Sequence, residues 1–258
     1  MNIRLDGKVA LVTGGSKGIG AGIARQLAEA GADVTITANS DVAGAEETAA
    51  AIRQLGRRCE VAKTDVGVEA EVDALFAGHL AAFGRIDILV ANAGISPKGT
   101  PVHETSAAEL ERVLRTNLYG PFFCARAAAK LMIAQGGPGR IVMISSVHEE
   151  ACTAGGGPYH ISKGGLRNLM RTMAVELAEH GVTVHGVAPG MIVTPMNREA
   201  LEDPRVAADA AALIPVRRVG YPADIAAMVC FLASDLAGYC TGATYYVDGG
   251  YMLTLPPV

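Results

Sequence analysis

Short runs of apolar residues alternate along this chain with longer stretches in which apolar residues recur every three or four positions. VALVTG at 9–14 predicts a buried strand, and Ile23, Ala24, Leu27 and Ala28 then follow at helical spacing. DVTITA at 33–38 predicts the next strand, and ETAAAIRQLG at 47–56 a helix closed by Gly56. Five further strands are predicted at 59–66, 86–94, 139–146, 182–190 and 243–250. Helices are predicted between them over 69–83, 106–135, 158–180 and 222–235. This alternation predicts an α/β fold, a doubly wound seven-stranded parallel sheet with helices on both faces. No linker or repeat interrupts it, so one domain is expected over 1–258. The Gly- and Pro-rich stretch 189–220 is too long for a simple connection and reads as a functional flap.

Composition narrows the classes of function. The chain has 258 residues, 50% hydrophobic and 19% charged, enough apolar material for a large core. A net charge of -4 gives no footprint for nucleic acid. No apolar run reaches the roughly 18 residues of a membrane span. The opening MNIRLDGKVALVTGG lacks the apolar stretch of a signal peptide, so a cytoplasmic protein without membrane partners is expected. The cysteines at 59, 124, 152, 230 and 240 are scattered and read as reduced thiols. Six scattered histidines suggest no protein-bound metal.

Two motifs carry chemistry. TGGSKGIG at 13–20 lies directly after the first strand and before a helix. Gly14, Gly18 and Gly20 allow a tight turn and close backbone approach to a pyrophosphate, which the helix N-terminus would bind. YHISK at 159–163 places Tyr159 and Lys163 on one helical face, with His160 facing elsewhere.

With these motifs the chain resembles the short-chain dehydrogenases/reductases over essentially its full length. TGGSKGIG is similar to their cofactor loop, which implies contacts from Ser16, Lys17 and Ile19 as well as the glycines. Asp65 and Val66 resemble their adenine-contacting pair. Asn92, Ala93 and Gly94 resemble their NNAG turn, with Ala91 in place of its first asparagine. Pro189 and Gly190, followed by Ile192 and Thr194, resemble the nicotinamide-side motif. Asn117, Ser146, Tyr159 and Lys163 match the catalytic set. The resemblance implies a Rossmann-type fold, hydride transfer between an alcohol or ketone and a nicotinamide, and a homotetramer. It also implies that Lys163 holds the nicotinamide ribose and that Asn117 holds a water in a proton relay.

Physical chemistry agrees with these roles. A free phenol has a pKa of about 10 and is a poor base at neutral pH, and a nearby lysine cation is expected to lower it. Ser146, at a strand end, can hydrogen-bond the substrate oxygen. The second strand ends in Ala38, Asn39 and Ser40, where NAD-preferring members of this fold usually carry an acid. Asn39 and Ser40 can donate to a 2′-phosphate, and Lys17 would add a cation. NADP(H) is therefore favoured, with NAD(H) possible should Asp41 turn inward.

For substrate, MISSVHE and the closing VDGGYMLTLPP resemble the bacterial glucose 1-dehydrogenase branch, which implies a sugar-pocket role for His148. Ser96, Pro97 and Lys98 stand where that branch tends to carry an acid, which argues against glucose itself. Ser96 is counted with Ser146, His148 and Tyr159 as a substrate contact. A 3-oxoacyl thioester, reduced as in the acyl carrier protein reductases, is the alternative substrate. An inactive binding or regulatory member is the remaining reading, and the complete catalytic set opposes it.

Overall fold

The computed structural model describes residues 3–195 and 203–254. Its strands are β1 (Val9–Val12), β2 (Asp33–Ala38), β3 (Cys59–Lys63), β4 (Ile88–Ala91), β5 (Gly139–Ile144), β6 (Val182–Pro189) and β7 (Thr244–Val247). They form one sheet in the order β3-β2-β1-β4-β5-β6-β7, with every pairing parallel.

Two apolar layers explain why these strands read as continuous hydrophobic runs. Side chains alternate along a strand, so a strand buried on both faces feeds two cores. Ala10, Val12, Ile88, Val90, Val142 and Ile144 enter one core. Leu11, Leu89, Ala91, Ile141 and Met143 enter the other. The first layer is closed by α1 (Gly18–Glu29), α2 (Val42–Gln54) and α8 (Pro222–Ala233). The second is closed by α3 (Glu69–Phe83), α5 (Gly120–Gln135) and α6 (Gly157–Leu177).

The helix expected over 106–135 is in fact two. A helix α4 (Ala107–Leu114) passes into a π-turn over Arg115–Tyr119 before α5 begins. The reason is a contact with a distant segment: Asn117, fully buried in that turn, is drawn to the backbone of Ile95. The helix expected from 47 starts earlier, at Val42, because Asp41 caps it through the Gly44 N–H. Within the flap, an unforeseen α7 (Pro204–Ala212) is capped by Asp203, with proline in its first turn. Residues 196–202 of the flap and the end of the YMLTLPPV tail lie outside the described residues. All five cysteines are free. No described helix is long and apolar enough to cross a membrane.

Candidate active site

From the β1–β4 pair the chain winds outward both ways, to β2 and β3 on one side and to β5, β6 and β7 on the other. At such a switch point the carboxyl ends of neighbouring strands leave a crevice for a ligand. Thr13 leaves β1 there and Asn92 leaves β4. Thr13 Oγ1 accepts from the N–H groups of Asn92 and Ala93, at 2.9 and 3.0 Å. Asn92 Nδ2 donates to Thr13 O and Gly14 O, at 2.8 and 3.1 Å. On the other side Gly14 N donates to Thr37 Oγ1 and Gly15 N to Thr37 O.

This lacing leaves no room for side chains. Gly14 and Gly18 have φ of 67° and 57°, in the left-handed region. A Cβ on Gly20 would lie 2.1 Å from Gly14 O and 2.5 Å from Asn92 Nδ2. One on Gly15 would lie 2.7 Å from Ile36 Cβ. Helix α1 then opens from Lys17 with no side-chain cap and no acid in its first turn. Its first N–H groups remain for an anion, so a dinucleotide pyrophosphate fits here. Ile19 packs half-buried against the core below.

The crevice edges hold the other predicted cofactor residues. Ala38 is buried at the end of β2, while Asn39 and Ser40 are exposed. Lys17 does not stand free: its Nζ meets Asp41 Oδ2 at 3.1 Å. That hydrogen bond, helped by the Gly44 N–H and Ser16, holds the Asp41 carboxyl below its ordinary value. Asp65 Oδ1 accepts from Gly67 N at 2.9 Å, and Val66 is buried against Gly120. Gly94 lies beside Asn117 Oδ1. Pro189 ends β6, and Gly190 N donates to Val247 O. Ile192 bridges to Gly220. Thr194 lies about where a Gly18 side chain would go, its Cβ 3.4 Å from that point. Thr194 thus lies on top of the glycine loop.

Ser146 follows β5, and its Oγ accepts from His148 N at 3.2 Å. Helix α6 starts at Gly157, so Tyr159 sits in its first turn and Lys163 one turn on. Lys163 is buried, donates from Nζ to Ile144 O at 2.9 Å and lies 5.5 Å from the Tyr159 ring centroid. The expected lowering of the phenol is not seen. Burial pushes Tyr159 up, and a hydrogen bond with Ser146 pulls the other way. Burial also pulls the Lys163 ammonium down to about 8, while the charge of Glu149 opposes this. Each group has lost its water, and for both the desolvation outweighs their neighbours.

Asn117 is placed beside this pair but otherwise engaged than expected. Its Oδ1 accepts from Ile95 N at 2.8 Å, and its Nδ2 donates to Ile95 O at 2.9 Å. The side chain therefore clamps the loop after β4. Its Nδ2 also lies 3.4 Å from Ser162 Oγ. His148 lies edge-on to Tyr159, with centroids 6.1 Å apart. Its Nδ1 faces Ala151 O at 3.0 Å. A carbonyl only accepts, so Nδ1 carries a proton and donates to it. His160 does not face away: it stacks on His148 with centroids 5.0 Å apart. Ser96 is exposed on the lip above, its carbonyl held by Arg112 at 3.0 Å.

A family model described as enoyl-(acyl carrier protein) reductase matches residues 14–252. The 3beta-hydroxysteroid dehydrogenase 1 of Eggerthella lenta is 41% identical, over 96% of this chain and 95% of its own. The chain belongs to the short-chain dehydrogenases/reductases. Glucose 1-dehydrogenase 2 of Bacillus subtilis is 36% identical to this short-chain dehydrogenase/reductase, over 96% of both chains. The crystal structure of a gluconate 5-dehydrogenase from Burkholderia cenocepacia, in complex with NADP and tartrate, superposes with a TM-score of 0.91. That protein is 35% identical, over 98% of each chain. Membership makes the chain a nicotinamide-dependent oxidoreductase.

Sequence reasoning overlooked Thr13, Thr37 and the Glu109–Arg112 pair. Two threonines at the ends of neighbouring buried strands were a usable signal for the first two. The third required knowing that α4 lies over the lip.

The buried ammonium makes a test of this geometry. Lys163 titrates near 8 in the fold against 10.5 as a free side chain. Between those values the unfolded chain binds more protons, so stability rises with pH there, and below about 8 the penalty is present in full. Lys163→Met should therefore be more stable than wild type at pH 7, on the order of 1–3 kcal/mol. The gap should narrow by about pH 10. Urea unfolding at both pH values checks this; a variant less stable at pH 7 contradicts it.

Proposed function

We propose that this protein interconverts a secondary alcohol and its carbonyl, with NADP(H) favoured over NAD(H) as hydride carrier. The reading is carried by the placement of Ser146, Tyr159 and Lys163 together at the carboxyl edge of the sheet, beside the glycine loop. The bound nicotinamide supplies or accepts the hydride. Tyr159 gives or takes the hydroxyl proton, and Ser146 holds the substrate oxygen beside it. Lys163 holds the nicotinamide ribose and keeps a positive charge under the phenol. Asn117 fixes the loop at Ile95 and offers its main chain to the relay. The presence of all four side chains favours an active enzyme over a binding protein. A sugar is the first substrate reading, supported by the likeness to a glucose 1-dehydrogenase. The 3-oxoacyl-thioester reading rests on the core motifs that such reductases share with this chain. The setting proposed is one cytoplasmic domain over 1–258, with the flap at 189–220 over the substrate.

Tyr159→Phe isolates the proton-transferring oxygen. Turnover should fall to below roughly a hundredth of wild type. The dissociation constant for the cofactor, read by fluorescence, should stay within about twofold, because the ring remains. Retention of more than a few per cent of kcat removes Tyr159 from the role.

Cofactor choice rests on Ala38, Asn39 and Ser40, none of them acidic, at the end of β2. Asp41 is the opposing element, since it holds Lys17. Ala38→Asp should swing the kcat/KM ratio from NADP⁺ toward NAD⁺ by about a hundredfold. Lys17→Ala should push the same way more weakly, because that lysine is exposed and screened. A wild type that already prefers NAD⁺ refutes the assignment.

Apolar side chains exposed on α5 and α6, among them Phe122, Ile133, Ile161 and Val175, support a homotetramer. Light scattering at micromolar concentration should give four times the chain mass, and a monomer mass excludes it.

A further inference from the structure

The lip over the site, residues 95–100, is held at Ile95, Ser96, Lys98 and Gly99. Asn117 clamps both main-chain groups of Ile95. Arg112 Nη2 donates to Ser96 O, and Lys98 N donates to Glu109 Oε1 at 3.0 Å. Gly99 is pressed against the loop that leads into Tyr159: a Cβ on Gly155 would lie 2.3 Å from Gly99 O. The next contact is of the same kind, with Val102 Cγ2 2.6 Å from a Cβ on Gly157. The backbone of Lys98 is thus fixed one residue from the wall that carries Tyr159, His148 and His160.

Charges around this mouth are unequally spent. Glu109 is buried and accepts two guanidinium hydrogen bonds from Arg112, each at 2.8 Å. Glu149 and Glu150 share Arg167, at 3.5 and 2.7 Å. Glu111 pairs with Arg115 and Glu104 with His103. Asp248 accepts from the N–H groups of Gly250 and Met252. Lys98 forms no direct ion pair among the described residues; its charge reaches Glu109 and helps hold that carboxyl low, but the Glu109 oxygens are spent on Arg112 and on the Lys98 main chain. An exposed lysine stabilises a fold little, and here the anchoring acts on its backbone while the ammonium is left available. A pinned cation at the mouth of a low-dielectric cleft draws an anion and orients it.

We infer that the substrate is a hydroxy acid, whose carboxylate meets Lys98 while its hydroxyl carbon faces Tyr159 and Ser146. Resting on the oxidoreductase reading, this adds the chemical class to it. A second hydroxyl on such a molecule meets the Nε2 edge of His148, whose Nδ1 is already committed to Ala151 O.

The test compares charged and neutral partners of one shape: 4-hydroxycyclohexanecarboxylate with its primary amide, and D-gluconate with D-glucitol, each with NADP⁺ and NAD⁺. Cyclohexanol is the control that lacks the acid. The acid should exceed its neutral partner in kcat/KM by about tenfold or more, and added salt should erode the preference. Lys98→Met should lower the acid-to-amide ratio by roughly five- to tenfold. Neutral partners used as well as the acids, an unmoved ratio in Lys98→Met, or turnover of cyclohexanol alone each overturn the inference and leave the oxidoreductase reading standing. No turnover of any of the five with either nicotinamide overturns both.

Discussion

The site depends on one crossing of hydrogen bonds, the knot between Thr13 and Asn92. Two parallel strands that diverge must leave main-chain groups unpaired at their ends, and buried groups of that kind are costly. Here the threonine hydroxyl takes two N–H groups from β4's extension, and the asparagine amide returns two bonds to β1's. The crevice is thereby satisfied without being filled. The closeness of the knot is also what bars a side chain from Gly20. The glycine pattern is as much a consequence of packing against Asn92 as of making room for a phosphate.

The other half of the site shows the opposite economy. Lys163 occupies a dry position where its charge is disfavoured, held by a single carbonyl, Ile144 O. Tyr159 likewise sits where its own ionised form is disfavoured. For both groups the cost of burial outweighs the help of their neighbours. Strained electrostatics of this sort are tolerated because the two cores, on opposite faces of the sheet, provide the stability elsewhere.

The fold was legible because strands buried on both faces leave unbroken apolar runs, and all seven fall within their predicted spans. Asn92 and Ser146 were legible too, since each follows a strand whose end is marked by composition. What escaped were features made by contact between distant segments. A 3.6-residue period runs on through 106–135 with no sign that Asn117 would be pulled out of it. The stacking of His160 on His148 depends on how the loop at 150–157 folds back. The pairing of Lys17 with Asp41 joins the caps of two helices, α1 and α2, that are far apart in the chain. Nor does proximity in sequence reveal sign: a lysine one turn from a tyrosine reads as an activator, and only burial shows which effect wins.

The π-turn at Arg115–Tyr119 has a mechanical meaning. The rod made by α4 and α5 grips the same loop twice, through Asn117 at Ile95 and through the Glu109–Arg112 pair at Ser96 and Lys98. Any swing of that loop must therefore twist the rod at its weakest turn, the one whose hydrogen bonds are already out of helical step. Entrance and floor are two ends of a single lever. The loop over the reacting groups and the turn beneath them are thus tied by the same two side-chain clamps.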